Sequence, residues 1–130
     1  MRRGMRGSIY KYANATELQD RLLKLGIEYR HVLELAPTKE VREIQVNTDK
    51  RQHISISERV ELDPDFAEAY RKERLGHFNL EEFIQGFPEN ARVVLFCVEA
   101  YVDACHRSIV AQAVQELTGQ TVLDITPASN

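Results

Sequence analysis

The fold is decided by residues 92–117, which read RVVLFCVEAYVDACHRSIVAQAVQEL. The first part of this stretch is an apolar run over residues 93–98, too short to span a membrane and typical of a strand buried on both faces. The second part has the period of an amphipathic helix, with an apolar face formed by Ile109, Val110, Ala113, Val114 and Leu117. We therefore expect a strand-to-helix junction between Glu99 and His106, which is where α/β sheets bind ligands.

The composition is that of an ordinary globular protein. The chain has 130 residues, of which 43% are apolar and 28% charged, with a net charge of -3, and this charge gives no overall attraction to nucleic acid or anionic lipid. No apolar run is long enough to span a membrane, and the N-terminal sequence lacks the apolar core of a signal peptide. We expect one cytoplasmic α/β domain over residues 1–130, with no membrane contact, a flexible basic start at 1–8 and a loose tail at 126–130.

Two further segments have the pattern of strands, residues 27–33 and residues 121–125. Helices are predicted between Asn14 and Gly26, from Lys39 to about Asn47, after Asp63, and between Asn79 and Gly86, each with a capping residue or a glycine at its boundary. Residues 47–62 have weak periodicity and are predicted to form a mobile loop. Helices of this length force parallel crossovers between strands, so the predicted fold is α/β, a small three-stranded parallel sheet flanked by helices in Rossmann-like layering.

The predicted junction has the features of an anion-binding site. The first amides of the following helix, from about Ala104, are hydrogen-bond donors at the positive end of the helix dipole, and Arg107 adds a permanent cation. Alternatively, Asp103 caps the helix and occupies these amides itself. The predicted ligand-binding residues are Arg107, Ser108, Cys97, His31 and Arg6. His31 lies on the better buried face of its strand, where it is either a core residue or a functional one.

The two cysteines allow a different chemistry at the same junction. The helix terminus and Arg107 favour the thiolate of Cys105, whereas Glu99 and Asp103 disfavour it. If the thiolate forms, Cys105 is a nucleophile with His106 or Glu99 as proton carrier, so these three are the predicted catalytic residues. The alternative is that both cysteines are inert packing residues. Whether the protein is an enzyme stays open.

We expect no metal ion and no cofactor. Zinc would accept two cysteines, a histidine and a glutamate, but no paired Cys-x-x-Cys is present, and the adjacent Cys105 and His106 point about 100° apart on a helix. A disulfide between Cys97 and Cys105 is conceivable across the loop, as a redox-dependent state in a reducing compartment.

Three motifs resemble those of domain-of-unknown-function family 488 (DUF488). They are GIEYRHVLELAPTKE from Gly26, DPDFAEAYRKE from Asp63, and Cys-x-Glu at 97–99 followed by Cys-His-Arg-Ser at 105–108. The resemblance implies an α/β domain, prokaryotic in most members, with no established reaction. Its signature positions here are Cys97, Glu99, Cys105, His106 and Arg107, with His31. Members typically begin with a strand, a helix and a second strand that this sequence lacks, which would explain the small predicted sheet.

The sequence thus predicts an uncharacterised DUF488-like protein that binds an anionic group, a phosphate, nucleotide or nucleic-acid phosphate, at residues 97–107. Two alternatives remain. The protein is a non-catalytic interaction protein, a homodimer paired through an open sheet edge, or it is a thiol redox protein that uses Cys105.

Overall fold

The computed structural model describes residues 15–97, 99 and 101–125. Contacts divide the chain into two compact units, Met1–Leu33 and Glu34–Asn130. The described residues form five α-helices and three single-turn 3-10 helices, at Leu33–Leu35, Leu75–His77 and Val102–Ala104. The α-helices are α1 (Ala15–Lys24), α2 (Lys39–Gln52), α3 (Pro64–Glu73), α4 (Leu80–Gln85) and α5 (Arg107–Thr118). None of these helices is long and apolar enough to cross a membrane.

The helix boundaries follow the capping residues that the sequence predicts. Thr38 accepts a hydrogen bond from the amide of Val41 at the start of α2, over 3.2 Å. Asp63 caps α3 through the amide of Asp65, over 2.7 Å, with Pro64 at the first helical position. Asn79 caps α4. These three predicted helix starts are confirmed because side-chain oxygens satisfy amides that a helix leaves without a partner.

The predicted parallel sheet is wrong. Residues 27–32, 92–97 and 121–125 form neither helix nor strand, and the described residues contain no strand. Large apolar side chains in these segments are exposed, with Val94 at 67%, Leu123 at 80% and Ile125 at 78%. Apolar periodicity shows which side chains would gain from burial, but a strand also needs a neighbouring strand with which to form hydrogen bonds. The described part of the chain is therefore helical rather than α/β, and the sheet edge predicted for pairing with a second copy is absent from it.

The apolar core of the second unit lies between α2, α3 and α5. Val41, Phe66, Tyr70, Ile109 and Val110 are all buried. Tyr70 is fully buried, and its hydroxyl donates to the carbonyl oxygen of Leu35 over 2.6 Å, so the one polar atom of its side chain has a partner. Of the face predicted for α5, Ile109 and Val110 are thus buried and Ala113 and Val114 half-buried, whereas Leu117 is exposed.

A buried ion pair joins α2 to the segment that follows it. Helix α2 continues to Gln52, five residues beyond the predicted end, and thereby includes Asp49. The guanidinium of Arg59 donates to both carboxylate oxygens of Asp49, with the shortest contact at 2.5 Å and both side chains less than a tenth exposed. Arg59 therefore fixes a segment that was predicted to be a mobile loop, because an unpaired charge at this depth would be strongly unfavourable.

Neighbouring polar side chains extend this ion pair into a network. Gln45 donates to Asp49 over 2.8 Å and accepts from the amide of Asp63 over 2.8 Å. The carboxylate of Asp63 accepts from Thr48 over 2.6 Å, and this contact lowers the pKa of Asp63 below its usual value. These five residues are thus joined in one chain of hydrogen bonds, which ties the C-terminal half of α2 to the start of α3.

We predict that Asp49→Ala lowers the free energy of unfolding by roughly 3–5 kcal/mol, because it leaves the Arg59 charge buried without its partner. Urea denaturation followed by circular dichroism measures this change. The double variant Asp49→Leu, Arg59→Met removes both charges and should recover most of the loss. As a control, Glu17→Ala breaks the exposed pair with Arg21 in α1 and should cost at most about 0.5 kcal/mol. Equal effects of Asp49→Ala and Glu17→Ala would contradict the importance of the buried pair.

Candidate functional site

The junction before α5 differs from the predicted one in where the helix begins. A 3-10 turn at Val102–Ala104 precedes the helix, and α5 begins at Arg107 with His106 as its N-cap residue. The predicted start near Ala104 and the predicted cap by Asp103 are both wrong. Asp103 lies within the 3-10 turn, where its side chain is exposed and its carbonyl oxygen accepts from the amide of Leu62 over 3.1 Å.

The first amides of α5 are already bonded within the junction. The amide of Arg107 donates to the sulfur of Cys105 over 3.4 Å, and the amide of Ser108 donates to the carbonyl oxygen of Cys105 over 3.0 Å. The next two amides donate to the carbonyl oxygen of His106. The position where we expected an anion is therefore occupied by a cysteine sulfur and by backbone oxygens.

The guanidinium of Arg107 holds the loop in place. It donates to the carbonyl oxygen of Cys97 over 3.1 Å and to that of Glu99 over 3.2 Å. One planar cation with two parallel donors thus fixes two backbone positions, a geometry that a lysine ammonium does not reproduce. The contacts give Arg107 a structural role in the junction and lend no support to its predicted role as an anion ligand.

The side chains of Cys97, Glu99 and Cys105 lie close together in the loop that Arg107 holds in place. One sulfur or carboxylate oxygen from each lies within 4.8 Å of the others. The thiol of Cys97 donates a hydrogen bond to the carboxylate of Glu99. Cys97 is half-buried, whereas Cys105 is only 1% exposed. The junction therefore pairs a half-buried cysteine with a fully buried one.

The two sulfurs have opposite acidities. A hydrogen bond from the thiol of Cys105 holds the pKa of Cys97 below its usual value of 9.0, although burial and the charge of Glu99 act against this. The same hydrogen bond raises the pKa of Cys105 well above its usual range, and burial and the charges of Cys97 and Glu99 add to the effect. The thiolate is therefore favoured at Cys97 and disfavoured at Cys105, the reverse of the predicted assignment.

His106 lies beside the buried sulfur. Its Nδ1 atom is 3.8 Å from the sulfur of Cys105, and its ring is tilted against that of Tyr70 with the centroids 5.4 Å apart. Burial raises the pKa of Tyr70 above its usual range, so this neighbour stays neutral and fixes the imidazole by packing. His106 is thus held where it can exchange a proton with Cys105.

The other predicted site residues, Ser108, His31 and Arg6, contribute no side chain to the group formed by Cys97, Glu99 and Cys105 within the described part of the chain. Ser108 donates its hydroxyl to the carbonyl oxygen of Cys105 over 2.8 Å and so stabilises the turn. His31 is exposed in the first unit, so its predicted place on a buried face is wrong. Arg6, the basic start at 1–8 and the tail at 126–130 lie outside the described residues. The structure therefore brings together five of the predicted residues, namely Cys97, Glu99, Cys105, His106 and Arg107.

The sequence analysis missed the support beneath the junction. The third guanidinium nitrogen of Arg59 donates to the carbonyl oxygen of Ala104 over 3.4 Å, one residue before Cys105. The buried pair of Arg59 and Asp49 thereby positions the sulfur cluster as well as α2. No periodic pattern connects residues ten positions apart, so the only signal of this pair in the sequence is two opposite charges in a polar segment.

Comparison with known proteins identifies a family. The family model described as "Domain of unknown function DUF488" matches residues 3–114, most of the chain and all of the sulfur cluster. No curated protein and no solved structure matches. The family predicted from the three motifs is thereby confirmed.

We predict that the Cys105→Ala variant raises the pKa of Cys97 toward 9.0, because the substitution removes the hydrogen bond that does most to lower it. A lowered pKa means that the thiolate persists at pH values below 9.0, so in the unchanged protein alkylation of Cys97 should begin at lower pH than in the variant. Thiolate absorbance and the pH dependence of iodoacetamide labelling both measure this pKa. As a matched control, Asp103→Asn removes an exposed carboxylate of the same loop and should leave the profile unchanged. Identical profiles for Cys105→Ala and the unchanged protein would contradict the assignment.

Proposed function

Given that the chain belongs to the DUF488 family, whose description assigns no function, we propose from the geometry that it is a dithiol redox protein in which Cys97 and Cys105 form a reversible disulfide. The observation that carries the proposal is the approach of the two sulfurs to within 4.8 Å across the 3-10 turn, with one sulfur half-buried and the other enclosed. This is the arrangement of an attacking cysteine and a resolving cysteine.

The reaction begins at Cys97. Cys97 first gives up its proton, for which the carboxylate of Glu99 is the hydrogen-bonded acceptor. The resulting thiolate attacks one sulfur of a low-molecular-weight disulfide, the sulfur–sulfur bond of the substrate breaks, and the first substrate thiolate leaves and takes up this proton. Cys97 then carries a mixed disulfide. Its half-buried position suits this role because the attacking sulfur has to meet a substrate, whereas the 1% exposure of Cys105 prevents a direct attack by that residue.

Cys105 completes the reaction. Once Cys97 is covalently bound, it has lost the negative charge that held the proton on Cys105, while the amide donor from Arg107 remains in place to favour a thiolate there. Cys105 gives up its proton, with His106 as the adjacent carrier, and its sulfur attacks that of Cys97. The second substrate thiolate leaves and takes up the proton. In sum, two protein thiols are oxidised to a disulfide and one substrate disulfide is reduced to two thiols.

This proposal is favoured over anion binding by the contacts of the junction. The first-turn amides of α5 and the guanidinium of Arg107 donate to sulfur and to carbonyl oxygens. The junction also contains the carboxylate of Glu99, which would repel a phosphate. Anion binding and homodimer formation stay predictions from the sequence, and no contact among residues 15–97, 99 and 101–125 supports them.

We predict that oxidised glutathione converts the reduced protein into a Cys97–Cys105 disulfide when a chelator is present, with no glutathione retained. Mass spectrometry after acid quenching identifies the product. In Cys105→Ser the reaction stops at the first step, because no second sulfur is available, so a glutathione adduct should accumulate on Cys97.

The matched variant Cys97→Ser retains only the enclosed sulfur and should stay unmodified while folded. The same variant in urea should react at Cys105, which shows that burial and not chemistry protects it. Glutathione found on Cys105 of the folded unchanged protein, or a Cys105→Ser variant that fails to react, would contradict the assigned order of attack.

A further inference from the structure

The same junction has the donor atoms of a metal site. We infer that in the reduced protein Cys97, Glu99 and Cys105 bind a thiophilic divalent cation of the Zn²⁺ class, with a fourth coordination position left open. The carrying observation is the juxtaposition of two sulfurs and one carboxylate oxygen, all within 4.8 Å of one another. The inference shares both sulfurs with the proposed function but does not require the redox reaction.

The donor set selects the kind of metal. Two thiolates favour Zn²⁺ over Mg²⁺ or Ca²⁺, which prefer oxygen ligands alone. Zinc–sulfur bonds of about 2.3 Å with tetrahedral angles place two sulfurs about 3.8 Å apart. Closing from 4.8 Å to this separation requires side-chain rotations rather than a change of fold. Two thiolates and one carboxylate also bring more than enough negative charge to balance the cation.

The backbone around the cluster is held as a metal site requires. Arg107 fixes the carbonyl oxygens of Cys97 and Glu99, and its own amide donates to the sulfur of Cys105. Arg59 fixes the carbonyl oxygen of Ala104. Outer contacts of this kind orient ligands and offset the negative charge of metal-bound sulfur. The three metal-binding side chains therefore come from a loop whose backbone accepts hydrogen bonds at or next to each of them.

The sequence argument against zinc concerned a different pair of residues. It rested on the absence of a Cys-x-x-Cys pair and on the divergence of Cys105 and His106, which removes only the joint participation of these two residues. The structure pairs Cys105 with Cys97 across the 3-10 turn instead, at a sequence separation of eight residues, and leaves His106 outside the three-residue group. With three protein ligands, the fourth position is available to water or a small ligand, which is the form that catalytic zinc sites take.

Cobalt titration tests the inference because tetrahedral thiolate–Co²⁺ complexes have intense visible and near-ultraviolet bands. The chain is reduced with a phosphine and titrated with Co²⁺ under argon. We expect these bands to saturate at one equivalent, to disappear on addition of Zn²⁺, and to be accompanied by proton release from the thiols. A spectrum that remains that of hexaaqua Co²⁺ would overturn the inference.

Three variants assign the ligands. Cys97→Ser and Cys105→Ser should each abolish the charge-transfer bands or shift them strongly, and Glu99→Gln should weaken Co²⁺ binding by roughly tenfold or more. Asp103→Asn, which changes an exposed carboxylate of the same loop, should leave the affinity unchanged. Circular dichroism confirms that each variant is folded. Unchanged affinity in Glu99→Gln would remove the carboxylate from the site and overturn the inferred donor set.

The two proposals fail separately. Disulfide formation is measured with a chelator present, and cobalt binding is measured under reducing conditions. A protein that forms the disulfide but gives no cobalt bands would overturn the metal site alone. A protein that binds cobalt through both sulfurs but forms no intramolecular disulfide with glutathione would support the metal site and overturn the redox function.

Discussion

The buried ion pair between Asp49 and Arg59 is the interaction on which the rest of the second unit depends. It binds the C-terminal half of α2 to the segment at residues 53–63, and the remaining donor of Arg59 reaches the carbonyl oxygen of Ala104 beside the sulfur cluster. A buried pair of this kind adds little net stability, because desolvation offsets much of the attraction. Its contribution is positional, because the Arg59 guanidinium contacts both the carboxylate of Asp49 and the carbonyl oxygen of Ala104.

In the junction before α5, the polar groups form hydrogen bonds with other atoms of the junction. Arg107 could have presented a free guanidinium to solvent, but it donates to two carbonyl oxygens of the preceding loop. The helix amides likewise bond to Cys105 and to the backbone. An anion would have to displace these contacts and approach the carboxylate of Glu99. A disulfide between the two cysteines requires no such displacement. The contacts that disfavour an anion hold the sulfurs of Cys97 and Cys105 within 4.8 Å of each other, and in the proposed metal site both sulfurs bind one cation.

The features that depend on residues close together in the chain could be predicted from the sequence. Capping residues at Thr38, Asp63 and Asn79 gave correct helix starts, because a cap is a contact between residues two or three positions apart. The motif around Cys97 and Cys105 gave both the family and the position of the cluster. These features depend on residues a few positions apart in the chain or on a family resemblance, and both can be recognised in the sequence alone.

The rest could not be read from the sequence for physical reasons. Residues 92–97 have the composition of a buried strand, yet strand formation depends on a partner that periodicity does not specify. The start of α5 was misplaced by three residues because a 3-10 turn and a helical turn have similar local patterns. The acidity of Cys97 depends on Cys105 across that turn, and the sequence favoured the wrong sulfur because it shows the helix terminus but not the distance between the thiols.

The central claim is that the ion pair beneath the junction sets the chemistry of the sulfurs above it. The pKa of Cys97 in an Arg59→Lys variant tests this claim most directly, because lysine keeps the charge but cannot donate to Asp49 and to the carbonyl of Ala104 in the geometry of the guanidinium. The account predicts a folded variant in which thiolate absorbance shows the pKa of Cys97 displaced toward 9.0. A variant with reduced stability and an unchanged Cys97 pKa would contradict it.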